Sequence, residues 1–123
     1  MEILDDRSKN RAVQALRCLS FNSTFYAEIR TKGLNAVTVF EKQWKYSDGS
    51  KWYRRPGFIE SDFSWLIKVG ILRREVDGQG LTSRVKLTPM GRQIIDRNPY
   101  IPDQKAGFIV YLNYLFKRNL IFR

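Results

Sequence analysis

The sequence predicts a mostly α-helical single domain carrying one small β-hairpin. Three observations lead there. Apolar residues recur at helical spacing along most of the 123 residues. One stretch, GILRREVDGQGLTSRVKLTPMGRQII at 70–95, switches to strand alternation around a glycine-rich tip. A helix stop, Gly70, and a helix start, Thr88-Pro89, bracket that switch.

In chain order, Ser8 is placed to cap a first helix running to about Phe21, with Ala12, Val13, Leu16, Leu19 and Ser20 along its inner face. Asn22 and Ser23 break it and can cap a second helix, TFYAEIRTKG, which Gly33 would stop. Asn35 suits the N-cap of NAVTVFEKQWKY, 35–46, where Val37, Val39, Phe40 and Trp44 share one broad helical face. The alternation of Val37 and Val39 leaves a strand open as well. SDGSKWYRRPG, 47–57, reads as a turn and loop, or as part of a hairpin WKYSDGSKWY.

FIESDFSWLIKVG, 58–70, is a helix that buries Ile59, Phe63, Leu66 and Ile67 and turns Ser61, Ser64, Trp65 and Lys68 toward its other side. ILRREV and RVKLT are the arms of a hairpin about the flexible tip DGQGLTS, with Val85 and Leu87 facing one way and Arg84 and Lys86 the other. Thr88 caps the next helix, Pro89 takes its first position, and it ends before Pro99. After two prolines, Asp103 can cap a final helix to about Phe122. Its apolar residues, Phe108, Ile109, Leu112, Leu115 and Phe116 among them, run nearly all the way round. A helix apolar all round must be covered all round. A second copy of the chain is therefore expected on it, making a homodimer. The chain divides into a core at 9–98 and a C-terminal helical extension at 99–123.

Twenty-two Lys and Arg against twelve Asp and Glu give a net charge of +10. Such an excess favours polyanions, nucleic acid first. The chain has no histidine and one cysteine, so the commonest general base and the commonest zinc-site spacings are missing. No phosphate-binding glycine loop is present. We expect no enzyme activity, no metal and no cofactor. Cys18 lies in an apolar helical pattern and reads as a small buried residue. The polar start MEILDDRSKN is unlike a secretory signal, and no apolar run reaches the ~18 residues of a spanning helix. These features suit a cytoplasmic protein, and membrane binding is not expected.

Helix, Gly70, basic strand, glycine-rich tip, basic strand, then Leu87-Thr88-Pro89-Met90-Gly91-Arg92: this phrase resembles the wing of the winged-helix transcription regulators, broadly of the MarR and PadR kind. The resemblance spans about residues 35–97. It implies a winged-helix domain with an added C-terminal dimerisation helix. It implies that 58–70 faces the major groove, which would bring Ser61, Ser64 and Lys68 to DNA, and that Arg73, Arg74, Arg84 and Lys86 belong to the wing. Phe108, Ile109, Leu112, Leu115 and Phe116 would then be the dimer contacts. Glu60 and Asp62 near the start of that helix suit its dipole but oppose phosphate.

The 44–55 stretch adds its own signal. Trp44, Tyr46, Trp52 and Tyr53 alternate with Lys45, Lys51, Arg54 and Arg55. Flat rings among cations suit stacking on bases beside a phosphate backbone, and the same rings could instead serve as core. The expected function is duplex-DNA binding by a dimeric transcriptional regulator, with Lys51, Arg54 and Arg55 joining the wing. The alternatives are a protein-interaction module and single-strand or RNA binding through the aromatic and basic loop.

Overall fold

The computed structural model describes residues 6–49, 52–104 and 107–122. Seven α-helices and one two-stranded antiparallel sheet make up these residues. The helices are α1 (Asp6–Cys18), α2 (Ser23–Glu28), α3 (Ala36–Glu41), α4 (Gln43–Tyr46), α5 (Pro56–Lys68), α6 (Pro89–Arg97) and α7 (Phe108–Phe122); β1 (Leu72–Asp77) and β2 (Gly80–Leu87) lie between α5 and α6.

Local cap chemistry sets most of the boundaries. The Asn22 carboxamide accepts from Phe25 N–H at the start of α2, and Asn35 accepts from Thr38 N–H at the start of α3. Gly70 follows α5 at φ +92°, a left-handed position that glycine adopts without strain. Other boundaries differ from the sequence expectation. α1 already includes Ser8 and stops at Cys18, which leaves Phe21 free to bridge to Ser47. α2 ends before Gly33. That glycine is buried against the hairpin, where a Cβ would come within 2.9 Å of Arg84 Cβ and Glu75 Oε2. It permits close approach; it does not end a helix. Pro56 opens α5, since the missing N–H of a proline is harmless in a first turn.

Residues 36–46 are helical, broken at Lys42, and among the described residues of 44–53 no hairpin forms, since Gln43–Tyr46 is helix. Val39 is buried, but Val37 and Trp44 face solvent, so the broad shared face is not formed. The β-hairpin is longer than expected. Its strands reach Asp77 and Gly80, leaving only Gly78 and Gln79 at the tip. Leu34 pairs with Val85 on the open edge of β2 as an isolated bridge.

The core is aromatic. Phe21 stacks on Phe25 at 4.6 Å between ring centroids, and Phe63 lies 5.6 Å and 5.8 Å from those two rings. Tyr26, Tyr46, Tyr53 and Trp65 are also buried. The expected stripe on α5 is correct for Ile59, Phe63 and Leu66, while Ile67 is half-buried. Trp65, expected on the other side, is buried. Cys18 is half-buried against the core.

The Thr-Pro-Met-Gly phrase has a compact explanation. The Thr88 hydroxyl accepts from Gly91 N–H and shares its one proton between the carbonyls of Gly70 and Ile71, just past the end of α5. One side chain thus caps α6 and ties it to the turn before β1. Gly91 then comes so close that a Cβ would sit 2.7 Å from the Ile71 carbonyl oxygen and 3.1 Å from Leu87 Cδ2. Backbone cannot yield as a flexible side-chain tip can. Gly91→Ala is therefore expected to destabilise by about 1–3 kcal/mol through overpacking, despite alanine's higher helix propensity. Thermal unfolding checks this; an unchanged or raised midpoint would contradict it.

The C-terminal segment corrects two expectations. Asp103 does not cap the last helix. It lies in a 3₁₀ turn (Ile101–Asp103) and accepts from both the backbone N–H and the hydroxyl of Ser23, across 80 residues of sequence. Nor does α7 need a second copy all round, because Tyr114 is buried against the chain's own core and Leu115 packs there too. Ile109, Leu112 and Phe116 remain exposed on the other face. The side chain of Phe108 lies outside the described residues. No helix among the described residues is long and apolar enough to cross a membrane.

Candidate nucleic-acid interface

Acids claim part of the positive charge. Among the described residues, Arg30 pairs with Asp96, Lys45 with Glu28, Arg74 with Glu60, Arg84 with Glu75, and Arg118 with Asp62. The hydroxyl of Tyr46 and the ammonium of Lys45 hold the Glu28 carboxyl below its usual range. Burial, together with the same acid, pushes the Tyr46 phenol up to about 12. What such pairing leaves unopposed is cationic.

The four hairpin cations divide into two kinds. Arg74 pairs across the sheet with Val85, so it shares the inner face and reaches Glu60 on α5 as well as the Ser83 carbonyl at 3.0 Å. Arg84 is held by Glu75, with Asp77 at 3.9 Å. These two arginines fasten the hairpin. Arg73 and Lys86 stand directly opposite each other on the outer face, away from buried Leu72, Val85 and Leu87. Neither has an acidic partner among the described residues.

Along α5, the solvent side carries Gly57, Ser61, Ser64 and Lys68, spaced four, three and four residues apart. Lys68 is exposed and Ser64 half-buried. Ser61 is not free, because Arg118 of α7 reaches its carbonyl at 3.3 Å and its hydroxyl at 3.4 Å. Arg54 and Arg55 are exposed just ahead of α5, at the positive end of its dipole. Lys51 lies outside the described residues.

The acids that opposed groove binding point elsewhere. Glu60 is occupied by Arg74. Asp62 is 2 % exposed and faces inward, with Arg118 Nη1 at 2.8 Å from one carboxylate oxygen and the Tyr53 hydroxyl donating to the other at 2.7 Å. Ser20 in turn donates to Tyr53 Oη at 2.9 Å. Burial raises the Tyr53 and Tyr114 phenols well above their ordinary value, so both stay protonated. Arg118 also lies over the Trp65 ring, 5.7 Å from its centroid. Sequence reasoning missed this cluster entirely. Its members come from the turn after α1, the 52–55 loop, α5 and α7.

Residues 3–118 match the profile of a protein family described as Npun_F0494-like. The chain belongs to the Npun_F0494-like family. No curated protein and no solved structure matches it. Any partner of this Npun_F0494-like chain meets its surface. That surface offers cations on an outer hairpin face, a serine-lined helix face, and an exposed aromatic edge.

The aromatic stretch 44–55 also sorts into two sets. Tyr46 and Tyr53 are core residues, whereas Trp44 is 73 % exposed and Trp52 is 67 % exposed. The Gln43 carboxamide makes the division. It accepts from Tyr53 N–H at 2.8 Å, donates to the Tyr53 carbonyl at 3.1 Å, and donates to the Phe40 carbonyl at 3.2 Å. This buried clamp draws Tyr53 inward and leaves its neighbour outside.

Proposed function

We propose that this chain is a winged-helix protein that binds duplex DNA as a homodimer and regulates transcription. The observation that carries the reading is the Arg73–Lys86 pair. Like charges directly opposite on neighbouring strands destabilise a sheet, and here no described acid lies between them. A phosphate bound across the pair offsets that cost, and counterion release adds to the affinity.

The element order supports the winged-helix part. Helices α1 and α2 come first, then the Leu34 bridge, then α3 and α5, then the hairpin whose second strand receives Leu34. Helix α5 would lie in the major groove with Ser64 and Lys68 outward and Ser61 held by Arg118, and Arg54 and Arg55 would meet the backbone beside it. With Glu60 and Asp62 both paired, the carboxylates no longer oppose phosphate. Ile109, Leu112 and Phe116, exposed one and two turns apart on α7, would form the dimer stripe.

Fluorescence anisotropy with a labelled random duplex, repeated over a salt series, tests the reading. Binding is expected at low salt, with log K falling steeply against log salt. No binding at low salt despite the +10 charge would remove the DNA reading. Sedimentation at the same concentrations should give a dimer; a monomer would remove the α7 stripe from the account.

A further inference from the structure

The exposed edge at Trp44 and Trp52 is not explained by the duplex reading. We infer that it is a stacking platform for unpaired bases, so that this chain also takes single-stranded nucleic acid. Two exposed indoles are a large apolar surface to leave in water. The chain is not short of room for rings, since Tyr46 and Tyr53 beside them are buried to 2 % and 1 %. Their exposure is enforced, because the Gln43 clamp fixes Tyr53 against α4 from the inside. Trp44 and Trp52 each lie one residue from that clamp. Their Cα atoms are thereby held within about 17 Å of each other.

The charge beside the rings selects the partner. Lys42, Arg54 and Arg55 are exposed there and lack acidic partners among the described residues, against the exposed acids Glu41 and Asp48. Rings with surplus cations are what sequence-tolerant binding of single strands uses. Each base presents a π-face and each linkage a phosphate. The platform sits just ahead of α5, so the two readings meet at Arg54 and Arg55 but differ at the tryptophans.

The test uses the intact chain and oligo(dT), which forms no duplex with itself, with tryptophan emission as the readout. Trp65 is buried at 2 % exposure and provides a constant background. Oligo(dT) should quench the exposed indoles. Trp52→Ala and Trp44→Ala should each weaken its binding by roughly 5- to 150-fold. Both side chains are exposed, so both variants should fold with unchanged circular dichroism. Their binding to a blunt duplex should stay within about two-fold, since stacking on a paired base is not available. Quenching by oligo(U) as well would extend the site to RNA and support the inference. Duplex binding without any oligo(dT) binding overturns this inference and leaves the duplex reading standing. So does oligo(dT) binding that both variants retain in full. Loss of all nucleic-acid binding, with a protein captured through the same tryptophans, overturns both.

Discussion

Arg118→Met should cost about 3–5 kcal/mol of stability, because it leaves the Asp62 carboxylate buried without its counter-charge. In a chain of this length, that lowers the unfolding midpoint by roughly 10–20 °C. The arginine contributes more than charge. It reaches Asp62 at 2.8 Å, lies over the Trp65 ring and touches Ser61, so it joins α7 to α5 at three points. Methionine keeps much of the stem but none of the donors. The double variant Arg118→Met with Asp62→Leu should recover a large part of the loss, since removing both charges also removes their desolvation cost. Ser20 stays within 2.9 Å of the Tyr53 hydroxyl and can take over as its partner. A single variant as stable as the parent, or a double variant as poor as the single, would show that the pair does not hold α7 in place. Chemical denaturation of the four proteins, read as a double-mutant cycle, decides between these outcomes.

The second expected result separates binding from folding on the hairpin. Replacing Arg73 and Lys86 by threonine should lower the salt slope of duplex binding by about 2, at ~0.9 per phosphate contact. Adding Arg54→Ala and Arg55→Ala should bring the loss to about 4 in slope, and to roughly 10³-fold in affinity near 0.1 M salt. Stability should move the other way in the threonine pair. Removing two opposed like charges from facing strand positions is expected to raise it by a few tenths to about 1 kcal/mol. Arg74→Ala and Arg84→Ala should do the converse, since those side chains are committed to Glu60 and Glu75. They should reduce stability modestly and leave the slope nearly unchanged. If all four positions change the slope equally, the division between fastening and binding cations is wrong.

Elements whose ends depend on neighbouring residues were legible in the sequence. Asn35, Thr88-Pro89 and Gly70 act within one turn of themselves, and each does what local chemistry predicts. The apolar spacing of Ile59, Phe63 and Leu66 likewise marks the buried side of α5. What escaped prediction depends on partners far along the chain. Asp103 looked like a helix cap because its real partner, Ser23, is 80 residues away. Asp62 looked like a surface carboxylate because nothing near it announces Arg118. Trp65 looked exposed because its cover, Tyr114 of α7, belongs to a helix whose docking no periodicity encodes. The tryptophans and tyrosines at 44–53 could not be sorted by composition. The sorting is done by a single glutamine, Gln43, and glutamine is an unremarkable residue in a helical pattern.

The pairing of Asp62 with Arg118 also orders events in time. Synthesis proceeds from the N-terminus, and the interior around Asp62 cannot reach electrical neutrality until residue 118 has left the ribosome. Until then, a nascent chain with α1 to α6 in place still carries a carboxylate that must remain hydrated. Its aromatic interior stays unsealed on the side where Tyr114 will dock. A stalled product lacking α7 would thus expose an unfinished interior to chaperones and proteases. Docking of α7 is thereby coupled to the sealing of the aromatic interior, since Arg118 and Tyr114 reach it from the same helix.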